Sequence, residues 1–153
     1  MAKKVELLAP AGNLEKAKIA LMYGADAVYA GTNKLSLRTR TSMQFDDLVN
    51  TVKLAHSLNK KVYVTCNIIP HNEDFDGLVD YLEYLDEIGV NAIITSSISI
   101  MDTCKKVAPN VEIHVSTQTS ITNSKAIDFW ASIGATRTVL AREVSIFEIE
   151  KIK

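Results

Sequence analysis

Residues 111 to 123 form the stretch whose residue types best fit a binding or catalytic site. The stretch begins with a valine- and isoleucine-rich run, which predicts a strand, and the side chains of a strand alternate between its two faces. A buried polar face must find hydrogen-bond partners, so such a strand is typical of a binding site. The polar face here consists of Glu112, His114, Ser116 and Gln118.

Two histidines are candidates for acid–base chemistry or ligand binding near neutral pH, His114 on that strand and His71 in a predicted loop. A single histidine provides neither a catalytic triad nor a metal site. Each therefore also fits a structural role, His114 as a hydrogen-bonded core residue and His71 as a solvated one. Ser116 and Gln118 on the same face favour function for His114.

Cations and amides follow several other predicted strands. Arg38, Arg40 and Arg142 could hold a carboxylate or phosphate through paired hydrogen bonds, although each could instead be a surface charge paired with Asp46 or Glu143. The segment 10–13 could present backbone N–H groups to an anion at a helix start, or could simply be a turn and helix cap. The predicted ligand-binding set is Arg38, Asn67, His71, Ser116, Gln118 and Arg142.

Catalytic groups are fewer. The serines lack the glycine-flanked turn of a hydrolase nucleophile, and the predicted strand places Cys66 on its helix-facing side. Glu143 could supply a carboxylate for acid–base work beside His114, as could Glu73 with Asp74, although acidic loop residues are usually solvated. Cys66 and Cys104 have no neighbour at metal-ligand spacing, so we predict no metal site and no cofactor within the chain.

Composition limits the function classes. The chain has 153 residues, of which 47% are hydrophobic and 23% charged, as in an ordinary soluble domain. Its 17 basic and 18 acidic residues create no overall field that would attract nucleic acid or an anionic membrane. No apolar run approaches the roughly 20 residues of a membrane span. These features predict a reduced, cytoplasmic protein that does not enter membranes.

Short apolar runs alternate with helical patterns along the whole chain, which predicts parallel strands joined by helices. Helices are expected to end at Gly24, Asn59, Gly89 and Gly134. The six predicted strands are 5–9, 26–30, 61–66, 91–95, 111–116 and 137–141.

Two architectures fit this pattern, a doubly wound open sheet and part of a (β/α) barrel. Strands of a doubly wound sheet are covered on both faces and tend to be apolar throughout. The third and sixth strands instead have one face with polar groups near the carboxyl end, which favours the barrel. A complete barrel needs about 250 residues, so we predict an α/β fold with about six units of an incomplete TIM-type barrel. Residues 1–153 then form a single domain that is a fragment of a larger barrel.

Six short motifs span residues 6–13, 24–31, 62–67, 70–73, 114–118 and 140–143. In this order they resemble the amino-terminal part of peptidase family U32, the collagenase-like peptidases. The resemblance covers nearly the whole chain, and the order and spacing of the motifs make it specific. Ser96–Ser99 departs from it, since many members have an aspartate followed by a glycine there.

The resemblance implies a barrel-type catalytic domain that continues past residue 153. It also implies hydroxylation of RNA bases or a related aromatic acceptor, with prephenate as hydroxyl source in the RNA-modifying members. Some full-length members carry an iron–sulfur cluster whose ligands lie beyond the matched part, so neither cysteine here is assigned to it. Family positions match Asn67, His71, His114, Ser116, Gln118, Arg142 and Glu143.

Three functions remain open. The first is a fragment of an enzyme that hydroxylates RNA, with a site for a small anion such as prephenate. The second is a peptidase with a peptide substrate. The third is a non-catalytic binding or assembly domain, which is the expectation for the isolated chain. Exposed edges on the first and sixth strands predict self-association.

Overall fold

The computed structural model describes residues 5–37 and 42–152, in which six strands alternate with six α-helices. Two short 3-10 helices, Asn72–Phe75 and Thr117–Thr119, lie in loops. The strands are β1 (Leu8–Pro10), β2 (Ala27–Gly31), β3 (Lys61–Thr65), β4 (Ala92–Thr95), β5 (Glu112–Val115) and β6 (Arg137–Thr138). The helices are α1 (Leu14–Met22), α2 (Phe45–Ser57), α3 (Leu78–Glu87), α4 (Ile98–Val107), α5 (Ser124–Ser132) and α6 (Ile146–Ile152).

All six strands belong to one parallel sheet, and each pairs with the next strand along the chain. A doubly wound sheet contains a point where the strand order reverses, and this sheet has none. The prediction of an α/β chain with six parallel strand–helix units is confirmed. Its strand order is that of a partial (β/α) barrel.

The first and sixth strands are shorter than predicted, because their ends bond elsewhere. Before β1, the Leu7 N–H donates to the Asp26 carboxylate (2.9 Å) and its carbonyl accepts from the N–H groups of Asp26 and Ala27. After β6, Ala141 N–H donates to the Ile121 carbonyl (2.9 Å), which draws the chain toward the segment after β5. Both ends of the sheet are thus fixed by loop contacts.

The two faces of the sheet bury different kinds of residue. The face toward the helices is aliphatic and packs against apolar residues of the helices, including Leu48, Leu82 and Ile100. The inner face is lined by a smaller cluster built around Tyr63 and Ile94, with Leu8 and Tyr29 packed against it. Because side chains alternate along each strand, the inner face also receives polar groups, and these provide the candidate site.

Helix ends follow the predicted pattern. Gly24, Gly89 and Gly134 all have positive φ angles after their helices, and Asn59 does so after α2 (φ 55°). These turns return the chain to the start of the next strand. Within the described residues, every helix is too short or too polar to cross a bilayer.

Candidate ligand-binding site

A cavity of about 520 Å³ lies at the carboxyl ends of the strands, where parallel α/β folds place their sites. Its walls combine an apolar floor with polar and cationic groups, and the described residues that line it include no carboxylate. Leu8, Tyr29, Ile94 and Val139 form the apolar part, and Lys16, Ser36, Thr65, Asn67, Ser116, Thr117 and Arg142 are the polar and cationic lining residues.

Close packing of the β2 and β3 ends builds one polar wall. The Ser36 and Thr65 hydroxyls are hydrogen-bonded (3.1 Å), and Thr65 also donates weakly to the Ala30 carbonyl (3.4 Å). A side chain at position 31 would collide with both hydroxyl side chains, so only glycine fits there. Gly31 therefore allows two hydroxyl groups to stand together at the cavity wall.

Asn67 joins the cavity to the segment that follows β2. Its Oδ1 accepts a hydrogen bond from the Leu37 N–H (3.3 Å), which leaves the NH2 group of the side chain to donate toward the cavity. Asn67 thus both supports the loop and lines the site. Arg38, the next residue of that loop and a predicted ligand-binding residue, lies outside the described residues.

Ser116 and Gln118 form a hydrogen-bonded pair after β5. Ser116 is 5% exposed, and its hydroxyl donates to Gln118 Oε1 (3.2 Å). The Ser96 hydroxyl donates to the same oxygen (3.4 Å). Ser116 lines the cavity, whereas Gln118, a predicted ligand-binding residue, is exposed outside the lining and orients the Ser116 hydroxyl by accepting its hydrogen bond.

Lys16 and Arg142 bring positive charge to the cavity from the first and last strand–helix units. Both side chains are exposed, and within residues 5–37 and 42–152 neither forms an ion pair. Two unpaired cations beside polar donors provide a site for an anion. Arg142 belongs to the predicted set, but Lys16 does not.

His114 is separate from this cavity. It is 1% exposed, its ring packs edge-on against Tyr63 (4.6 Å between centroids), and its Nε2 lies 3.2 Å from Glu112 Oε2. Burial lowers the pKa of His114, and nearby Arg137 adds to this, while the Glu112 carboxylate opposes both. A buried histidine of this kind is largely neutral near pH 7. The structure thus separates His114 from Ser116, although both lie on one strand face in sequence.

Tyr63 contacts both His114 and an ion pair that lies on the inner face of the sheet. Arg137 Nη1 and Glu6 Oε1 are 2.5 Å apart, and the Tyr63 hydroxyl donates to the same carboxylate oxygen (2.8 Å). The Arg137 guanidinium also stands over the Tyr63 ring (5.5 Å). The hydrogen bond from Arg137 is the main reason why the pKa of Glu6 is lowered. We call Glu6, Tyr63 and Arg137 the inner ion-pair cluster.

The other predicted residues lie outside the cavity wall. His71 is exposed, and its backbone N–H donates to the Asp74 carboxylate (2.7 Å) at the start of a 3-10 helix. Glu143 is exposed beside Arg142, and no ion pair joins it to the arginine among the described residues. Neither side chain is brought to His114.

Sequence reasoning missed Lys16, Tyr29 and the pair of hydroxyls at Ser36 and Thr65. Lys16 lies three residues after Asn13, which caps α1 by accepting from the Lys16 N–H (2.9 Å). A lysine in the first turn after a strand-to-helix loop was the available signal. The hydroxyl pair had no comparable signal, because 29 residues separate its two members.

The described residues do not provide a metal or cluster site. They contain no group of three His, Cys, Asp or Glu side chains placed to hold a metal ion. Both cysteines are buried, and burial raises the pKa of Cys66 and raises that of Cys104 to about 12. Neither thiol is available as a thiolate ligand or nucleophile near neutral pH. An iron–sulfur cluster does not fit the residues present here.

Comparison with known proteins identifies the family. The chain is 50% identical over 152 residues to "tRNA hydroxylation protein P1" of Bacillus subtilis (strain 168), covering 99% of this chain and 36% of that protein. It is 33% identical over 149 residues to the "23S rRNA 5-hydroxycytidine C2501 synthase" of Escherichia coli (strain K12), covering 97% of this chain and 22% of that protein.

A solved U32 peptidase structure matches the fold with a TM-score of 0.71 at 10% identity, over 92% of this chain and 60% of that one. The chain spans about a third of the length of several curated relatives. The model of peptidase family U32 matches residues 12–153. The family resemblance seen in the sequence is thus confirmed, and the chain belongs to peptidase family U32.

Proposed function

We propose that this chain is the amino-terminal part of an RNA hydroxylation protein and that its cavity binds a small organic anion. The identity of 50% to a protein named for tRNA hydroxylation carries this proposal. A second relative, named for hydroxycytidine synthesis on ribosomal RNA, supports the same class of reaction. Such an enzyme works in the cytoplasm, where its RNA substrates are found.

The lining of the cavity supports an anionic ligand. Arg142 can pair its planar guanidinium with a carboxylate, and the hydroxyl of Ser116 and the amide of Asn67 can donate further hydrogen bonds. A dicarboxylate such as prephenate fits this donor set and is the hydroxyl source that the family resemblance implies. RNA is then the acceptor, bound with the help of parts of the protein outside this chain.

The described residues favour hydroxylation over the peptidase alternative. A peptidase needs an activated nucleophile beside a base. Here the thiols are buried with raised pKa values, and His114 contacts Glu112 and Tyr63 rather than a serine. These residues supply no nucleophile and base in contact.

We further propose that the isolated chain is inactive and self-associates. It spans about a third of its relatives, so the rest of the full-length protein would close the barrel. Strand β1 pairs only with β2, and β6 only with β5, among the described strands. Such edges can pair with a second copy. Light scattering of the isolated chain should show dimers or larger species that increase with concentration, and a monomer at high concentration would contradict this.

Nucleoside mass spectrometry tests the proposed function. Deleting the gene for the full-length protein should remove a hydroxylated nucleoside from tRNA or rRNA. The full-length protein should restore it, whereas the 153-residue chain alone and the full-length Arg142→Met variant should not. Lys18→Met is the matched control, because Lys18 is exposed on α1 outside the cavity lining. Unchanged nucleosides, with loss of cleavage of a defined peptide, would favour the peptidase.

A further inference from the structure

Two cationic side chains line the cavity, and no ion pair within residues 5–37 and 42–152 balances their charges. Lys16 reaches it from the first turn of α1, and Arg142 from the loop after β6. These units lie at opposite edges of the six-stranded sheet. The two positive charges therefore reach one cavity from the first and the last strand–helix units.

Several lysines of the chain are held by backbone carbonyls, whereas others, such as the exposed Lys18, have no side-chain partner among the described residues. Lys60 donates to the carbonyls of Leu21 and Ala25 at the end of α1, and Lys105 donates to the Ile133 carbonyl after α5 (3.0 Å). Lys34 donates to the Gly77 carbonyl (2.7 Å). Each of these lysines has a structural partner, whereas the Lys16 side chain forms no hydrogen bond or ion pair within the described residues.

The cavity that Lys16 and Arg142 line also has an apolar floor. Leu8, Tyr29 and Ile94 rise from the inner face of the sheet, and Val139 completes the floor. The Tyr29 ring is half-buried and packs against the small apolar cluster around Tyr63 and Ile94 on the inner face of the sheet. A ring-sized apolar body could rest on this floor with charged groups directed toward the two cations.

We infer that Lys16 is a specificity-determining residue that selects a ring-bearing dianion over a monoanion. This rests on the anion-binding part of the proposed function. Arg142 binds one carboxylate through its planar fork, and Lys16, a compact point charge, attracts the second. A monoanion needs only Arg142. The second negative charge is therefore recognised by a residue from the opposite end of the chain.

Calorimetric titration tests this with terephthalate, a ring with two carboxylates, and benzoate, which has one. The wild-type chain should prefer terephthalate. Lys16→Met should weaken terephthalate binding by about tenfold, the size of one lost charge-assisted contact, and leave benzoate binding nearly unchanged. Lys18→Met removes the same charge from the same helix outside the cavity and should alter neither affinity.

Three results would overturn the inference: equal weakening of both probes by Lys16→Met, equal effects of Lys16→Met and Lys18→Met, or no binding of either probe to the wild-type chain. An unchanged melting temperature of Lys16→Met, whose side chain is exposed, excludes misfolding as the cause. The nucleoside assay is independent of this titration. Hydroxylation that depends on the gene, together with no charge preference, would refute the role of Lys16 and leave the proposed function intact.

Discussion

Replacing Arg137 by methionine should destabilise the fold far more than removing a surface charge. Arg137 joins β6 to Glu6, just before β1, through a contact of 2.5 Å, and so ties together the two edge units of the sheet. Methionine keeps much of the apolar stem and removes the guanidinium. Among the described residues, the Tyr63 hydroxyl would then be the one remaining hydrogen-bond donor to the partly buried Glu6 carboxylate.

The size of the effect follows from burial. Removing one partner of a fully buried pair costs about 3–5 kcal/mol. Here Arg137 is 38% and Glu6 25% exposed, so water screens part of the interaction. We therefore expect a loss of about 2 kcal/mol in the free energy of unfolding, between the fully buried and surface values. The double variant Glu6→Gln/Arg137→Met should lose less than the two single variants together, because no charge is left without its partner.

Urea denaturation followed by Trp130 fluorescence measures these free energies. Lys106→Met is the control, because the Lys106–Asp102 pair is exposed on α4 (68% and 61%) and should contribute under about 0.5 kcal/mol. The pKa of Glu6 is lowered in the folded state, so the contribution of the pair is present above the ordinary value of 4.5 and is lost as pH falls through the folded pKa. An Arg137→Met cost no greater than that of Lys106→Met, or independent of pH, would refute this reasoning.

Three further predictions concern residues near the site. Gly31→Ala should lower the free energy of unfolding by about 1–3 kcal/mol in urea denaturation, because the added methyl group overlaps the neighbouring hydroxyl side chains; wild-type stability would contradict this. Burial lowers the pKa of His114, so as pH falls below 6.5 the unfolded chain binds the proton first and stability should decrease. His114→Gln should remove this pH dependence. The control variant His56→Gln, at an exposed histidine, should keep it. Asn67→Ala should weaken terephthalate binding severalfold in calorimetry and speed amide exchange at Leu37, whose N–H loses its acceptor; unchanged exchange would refute the support role.

The order and number of elements could be predicted from the sequence because they depend on local chemistry. Glycine or asparagine after each of several helices, and alternating apolar residues in each strand, act within a few neighbours. Strand ends were less predictable. The end of β6 depends on a hydrogen bond from Ala141 to Ile121, twenty residues earlier in the chain, which no local pattern reveals.

The site was only partly predictable for the same reason. Asn67, Ser116 and Arg142 lie at or just after the ends of their predicted strands, and the rule that strand ends meet at one edge places them together. That rule treats one strand face as a single environment. The face of β5 is in fact divided by depth, since His114 packs on Tyr63 below while Ser116 opens to the cavity above. Alternation gives the face of a side chain but not its depth.

The inner ion-pair cluster and the two cations of the cavity are supplied by the same two edge units of the sheet, the first and the sixth. Glu6 and Arg137 connect the segment before β1 to β6, and Lys16 and Arg142 extend from the same two units into the cavity. Because the ion pair joins the two units that carry these cations, we expect it to influence the separation of the two cations. A dianion that bridges those cations would hold the same two units together from the opposite end of the strands. Ligand binding and closure of the sheet are thus expected to stabilise each other, because both depend on one distance between the first and the sixth strand.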